Sequence, residues 1–99
     1  MSDMTPTAET PAPRTRPDFT HVSDVMLYDI ARHTASLLTS LFLNRQRDAT
    51  DDAEREHWAA RERLVMRQVQ ALNPDDRAGL IAQNEAWVDE DRVLRDAQQ

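Results

Sequence analysis

Cysteine is absent from the 99-residue chain, which removes disulfides, thiol nucleophiles and thiolate metal sites at once. Lysine is absent too, so all twelve basic residues are arginine, and neither a Schiff-base lysine nor a phosphate-binding Walker lysine can exist. The single glycine, Gly79, is too few for any glycine-rich phosphate loop. Serines stand only at positions 2, 23, 36 and 40, none of them in a G-x-S-x-G setting. The usual apparatus of nucleotide binding and covalent catalysis is therefore missing, and the expectation is a protein that is not an enzyme.

Long apolar runs are equally scarce. The most apolar stretch, residues 25–43, carries Asp29, Arg32 and His33 in its first half, which argues against a membrane span. No basic region followed by an apolar one addresses the chain to export, so a cytoplasmic protein is expected. Abundant Ala, Arg and Asp without lysine is the usage of a GC-rich bacterial genome. The net charge of −6 opposes nucleic-acid phosphates unless basic groups are segregated on the fold. Arg55, Arg61, Arg63 and Arg67 come nearest to such a patch, but Glu54, Glu56 and Glu62 are interleaved with them. That pattern favours a solvated helix face with ion pairs; a nucleic-acid-associated regulator using these arginines is an alternative reading.

What is present is helical. Four of the five prolines fall in residues 1–18 with almost no large apolar groups, a composition that cannot offset the entropy of ordering, so residues 1–20 are expected to be a disordered tail. A proline-rich ligand is the rival reading of PAPRTRP (11–17), which lacks the P-x-x-P spacing. The remainder, 21–99, is expected to be one all-α domain with helices at about 23–46, 51–71 and 74–96. Ser23 is a good N-cap for the first helix and Asp24 suits its first turn. Thr50 is expected to cap the second, ahead of Asp51, Asp52 and Glu54. Asn73 followed by Pro74, Asp75 and Asp76 reads as the start of the third.

On the first helix, Met26, Ile30, Leu37 and Leu41 fall on one stripe at 100° per residue, widened by Val22, Leu27, Thr34 and Leu38, and that face is the expected core. Val25, Tyr28, Phe42 and Leu43 point elsewhere, so the helix is apolar around much of its girth. The second helix repeats Trp58, Val65 and Leu72 at intervals of seven, with Leu64 alongside. The third repeats Leu80, Trp87 and Leu94, with Ile81 and Val88 alongside and Asn84 and Asp91 between. Facing layers that alternate apolar and polar suit an antiparallel hairpin of helices 2 and 3 packed on helix 1. A tight turn at residue 73 favours Trp58 opposite Trp87 and Arg61 opposite Asn84. Slipping by one heptad sets Arg61 against Asp91 and Val65 against Trp87 instead.

Metal chemistry has one candidate, Glu54-x-x-His57, joined in principle by Asp29 or His33. Arg61 stands on the same face one turn on, where a guanidinium competes for the carboxylate and repels a cation, so these residues read as structural and neither a metal nor another cofactor is expected. The acids of helix 3, among them Asp89, Glu90 and Asp91, could mimic nucleic-acid phosphates, but a solvated acidic face explains them more simply. Helix 1 has more apolar circumference than two partner helices can cover. The expected function is a non-enzymatic protein–protein interaction module, a small regulator or inhibitor acting as a homodimer or on a protein partner, with Val25, Tyr28, Phe42 and Leu43 as its interface. A metal-binding bundle is the alternative, and no small-molecule substrate or membrane is implied.

Overall fold

The computed structural model describes residues 16–97, and within them the chain forms three helices and no strand: α1 (Asp24–Asp48), α2 (Asp52–Gln70) and α3 (Arg77–Ala97). This is the all-α three-helix bundle expected. Most of the proposed disordered tail and of the PAPRTRP segment lies outside the described residues. Residues 16–22 form an arm against α3, so the packed chain begins before residue 20.

Each helix boundary has a local cause. Ser23 Oγ accepts from the Met26 amide at 3.1 Å, satisfying one of the amide groups that a helix leaves unpaired at its N-terminus. The break between α1 and α2 needs neither Gly nor Pro. Asp51, not Thr50, is the cap, and its Oδ1 accepts from the Glu54 amide at 2.7 Å. Glu54 Oε1 reaches back to the Thr50 amide and hydroxyl, each at 3.4 Å, a reciprocal arrangement of the capping-box kind. At the third boundary Asn73 caps only a turn, accepting from the Asp75 amide at 2.9 Å. Asp76 takes over the helix start, with Oδ1 accepting from the Gly79 amide at 3.0 Å. A Cβ at residue 79 would crowd the Asp76 carboxylate in its present position.

The helices run up, down and up. Phe42 of α1 stacks on Trp58 of α2 with ring centroids 5.9 Å apart, and farther from the connection residues 32–39 of α1 line one cleft with residues 62–70 of α2, which sets α1 and α2 antiparallel. Arg77 Nη1 meets Asp24 Oδ1 at 2.8 Å, and Arg45 Nη2 donates to the Leu94 carbonyl at 2.8 Å, which sets α1 and α3 parallel. The long connection at 71–76 lets α2 and α3 adopt the slipped register rather than the one a tight turn favours. Arg61 pairs with Glu90, and Trp87 Nε1 donates to Gln68 Oε1 at 3.1 Å, so Trp87 does not face Trp58.

Among the described residues no Cα of α2 comes within 8 Å of one in α3. The two helices flank α1 and meet across its buried face by side chains alone.

That central position decides which stripe of α1 is buried. The core is Leu27, Ala31, Ala35, Leu38, Leu41 and Phe42, with Val65 from α2 and Leu80, Trp87 and Leu94 from α3. The stripe expected from Met26, Ile30 and Leu37 is rotated out: Met26 is 56% and Leu37 44% exposed, and Ile30 is half-buried. Leu41 of that stripe is buried, as are Leu27 and Leu38 from its expected margin. Phe42, expected at an interface, is fully buried beneath Trp58. The physical reason is helix approach. A helix flanked on two sides benefits from small residues where its neighbours cross, because interaxial distance follows side-chain size, and Ala31 and Ala35 supply them. Of the remaining expected core residues, Val65, Leu80 and Trp87 are buried, whereas Trp58, Leu64, Ile81 and Val88 are half-buried.

Candidate interaction face

Rotating α1 by about one residue places its second apolar stripe on the flank towards α3. Met26, Ile30 and Leu37 recur at four and seven residues, so all three project from one side of the helix. Thr34 and Leu37 on α1, with Val88, Asp91, Arg92, Arg95 and Asp96 on α3, line an open cleft of about 550 Å³. Its floor is apolar and its α3 wall is charged. Asp91 and Arg95 neutralise each other at 2.5 Å within α3.

One end of this flank is closed by the arm. Pro17, Phe19 and Thr20 lie over Ile81 and Arg77, and the Arg77 guanidinium donates to the Phe19 carbonyl. Arg16 forks onto Asp89, with Nη2 to Oδ2 at 3.0 Å and Nη1 to Oδ1 at 3.2 Å. This hydrogen-bonded guanidinium holds the Asp89 carboxyl below the usual aspartate value, while Asp89 in turn raises the Arg16 pKa. Asp18 is lowered for a different reason, since the Thr20 hydroxyl and amide both donate to its carboxylate.

The four residues proposed from the sequence as an interface are not brought together. Val25 is 74% and Leu43 47% exposed, but eighteen residues separate them, roughly 27 Å along the helix. Polar Asp29, Arg32, Ser36 and Ser40 share the same side between them. Isolated exposed aliphatics of this kind are ordinary. Tyr28 is half-buried with the Arg32 guanidinium 5.5 Å over its ring, and Phe42 is core. Met26 and Leu37 were legible as apolar residues, but a helical wheel assigned them to the buried side.

The metal alternative fares poorly on geometry. Glu54 is engaged in the capping interaction, His57 is exposed and set edge-on to Trp58 with centroids 4.6 Å apart, and Asp29 and His33 point from exposed positions on α1. Among the described residues no three His, Asp or Glu side chains converge as metal ligands would. The arginines of α2 are largely spent on acids: Arg55 on Asp52 at 2.6 Å, Arg63 on Glu56 at 2.5 Å, and Arg61 on Glu90. Of α3's acids, Asp89, Glu90 and Asp91 are answered in the same way, by Arg16, Arg61 and Arg95. Neither a basic groove nor a bare acidic surface results.

A second cleft, about 440 Å³ between α1 and α2, is lined by Arg32, His33, Ser36, Thr39, Glu62 and Met66 among others. Its Thr39 hydroxyl donates to the Ser36 carbonyl, and Glu62 accepts from Gln46, so much of its polar lining serves the fold itself. Among the described residues no helix is long and apolar enough to cross a membrane. Comparison with protein-family models, with curated proteins and with solved structures gave no match.

Proposed function

We propose that the protein is a non-enzymatic protein–protein interaction module, a small regulator or inhibitor, whose contact is the α1–α3 flank. One observation carries the reading: Met26 and Leu37, two large apolar side chains of the central helix, are about half exposed although the same helix buries another complete stripe. Val88 adjoins Leu37 across the cleft. Leaving a contiguous apolar strip in water costs roughly 25 cal/mol per Å², a cost that association removes. A domain this small also gains from added buried surface, because its own core is limited.

Placing a photo-crosslinking amino acid at residue 37, and separately at exposed residue 32, about 140° round α1 and on its α2 flank, tests the reading in cells that produce the protein. Covalent protein adducts are expected from position 37 and not from position 32. Adducts from neither position, with both variants folded, would overturn the interaction role.

A further inference from the structure

We infer that the occupant of the α1–α3 flank is a second copy of this chain, related by a two-fold axis perpendicular to the helices and passing close to Leu37 and Val88. The inference rests on the interaction reading above and adds the identity of the partner. Its basis is the charge pattern of the rim. Glu85 and Arg92 are seven residues apart on α3, so they share one side of the helix, two turns from each other. They are also equally distant in sequence from the Val88–Asp89 peptide bond. An axis at that point turns α3 end over end, which brings Arg92 of each copy opposite Glu85 of the other. The pairing occurs twice, as a self-complementary two-fold contact requires.

Both charges are available for this role. Arg92 reaches its intrachain neighbour Asp89 only at 3.5 Å, and Glu85 reaches Arg16 only at 4.0 Å. By contrast Arg16 binds Asp89 at 3.0 Å and Arg95 binds Asp91 at 2.5 Å. Besides Asp96 at its far end, the rim thus holds two firmly satisfied pairs and two loosely engaged charges of opposite sign, the latter placed symmetrically about the apolar centre. A partner of one dominant charge would meet repulsion from one of them.

The same axis sets Leu37, which shares the cleft with Val88, next to its own counterpart. Two helices about 10 Å apart and about 30 Å long, together with the arm that lies over one end of them, present a face on the order of 600 Å². This approaches the roughly 800 Å² per partner of a standard interface.

Sedimentation equilibrium of the full chain from low to high micromolar concentration tests the inference, with thermal melts confirming that each variant folds. The wild type is expected to dimerise, and Leu37→Glu to be monomeric. Glu85→Arg and Arg92→Glu should each weaken the dimer by about tenfold, since two attractive contacts become repulsive. The double variant should recover most of the loss, because the swapped charges again face opposite signs. A wild type that stays monomeric at 200 µM (about a typical upper working concentration for weak contacts) overturns the second copy as occupant. The crosslinking at position 37 then still decides the interaction reading separately. A dimer that Leu37→Glu abolishes, but in which the single charge variants are silent, overturns the two-fold arrangement.

Discussion

Asn84 offers the sharpest perturbation of the fold, because it is 5% exposed and its Oδ1 has no hydrogen-bond partner. The residue lies on the stripe of α3 that packs on α1, between Leu80 and Trp87. The Asp24–Arg77 pair, 53 positions apart, sets a parallel register in which Asn84 falls level with Ala31, itself fully buried. An unpaired amide oxygen there costs about 1–3 kcal/mol relative to a satisfied or apolar group. Leucine has the same branch point at Cγ and carries two methyl groups where asparagine has its oxygen and nitrogen.

Asn84→Leu is therefore expected to stabilise the protein by about 1–3 kcal/mol, an increase in Tm of roughly 4–24 °C for a domain of this size. Asn84→Asp should do the opposite near neutrality, since a carboxylate without a partner is disfavoured by burial and its pKa rises. Part of that loss should return on acidification, as the raised pKa lets the group become neutral. Thermal and urea unfolding followed by circular dichroism measures both. A loss of more than about 1 kcal/mol in the leucine variant would show that the carbonyl is satisfied in solution, and the argument from an orphaned group would be wrong. The polar residue would then stand as a register device, a role documented for a single buried Asn between paired helices.

Three further outcomes follow from the geometry. Phe42→Ala should cost about 3–5 kcal/mol and Leu43→Ala less than about 0.5 kcal/mol in urea unfolding of the monomer, and comparable losses would contradict the placement of α1's buried stripe. Gln68→Leu removes the acceptor of the buried Trp87 indole N–H and should lower stability by about 1–3 kcal/mol; a neutral result would mean that the indole finds another acceptor. Asp18 and Asp89 both titrate below the usual aspartate value in the folded protein. Their contribution is thus complete above the ordinary aspartate value and is lost as pH falls through the depressed folded values. The arm should loosen over that acidic range, visible as movement of the Thr20 and Val22 amide resonances before those of α1, and simultaneous loss would show that the arm and bundle are one cooperative unit.

Much of this was written locally. Capping chemistry at Ser23 and the acids around residues 51–54 placed the helix starts, because a cap needs only a side-chain oxygen within three residues of the amide it serves. The heptad repeat of α3 likewise identified Leu80, Trp87 and Leu94 as core, since apolar residues alternate there with Asn84 and Asp91 and no competing stripe exists. On α1 two apolar stripes compete, and periodicity ranks them by side-chain size. Alanine counts for little on that scale, yet Ala31 and Ala35 are where α2 and α3 approach most favourably.

Composition and spacing determined by themselves that the described residues form three helices, in a chain without cysteine, lysine or a glycine-rich loop, since propensity, capping and the identity of functional groups need no tertiary contact. Which side of α1 lies inside, which register α2 and α3 adopt, and which apolar residues are left in water were decided only by the packing of all three helices. Those outcomes depend on how closely backbones approach and on which distant charges meet, as Arg61 meets Glu90 and Arg16 meets Asp89. Neither distance is encoded in any window of the sequence shorter than the bundle itself.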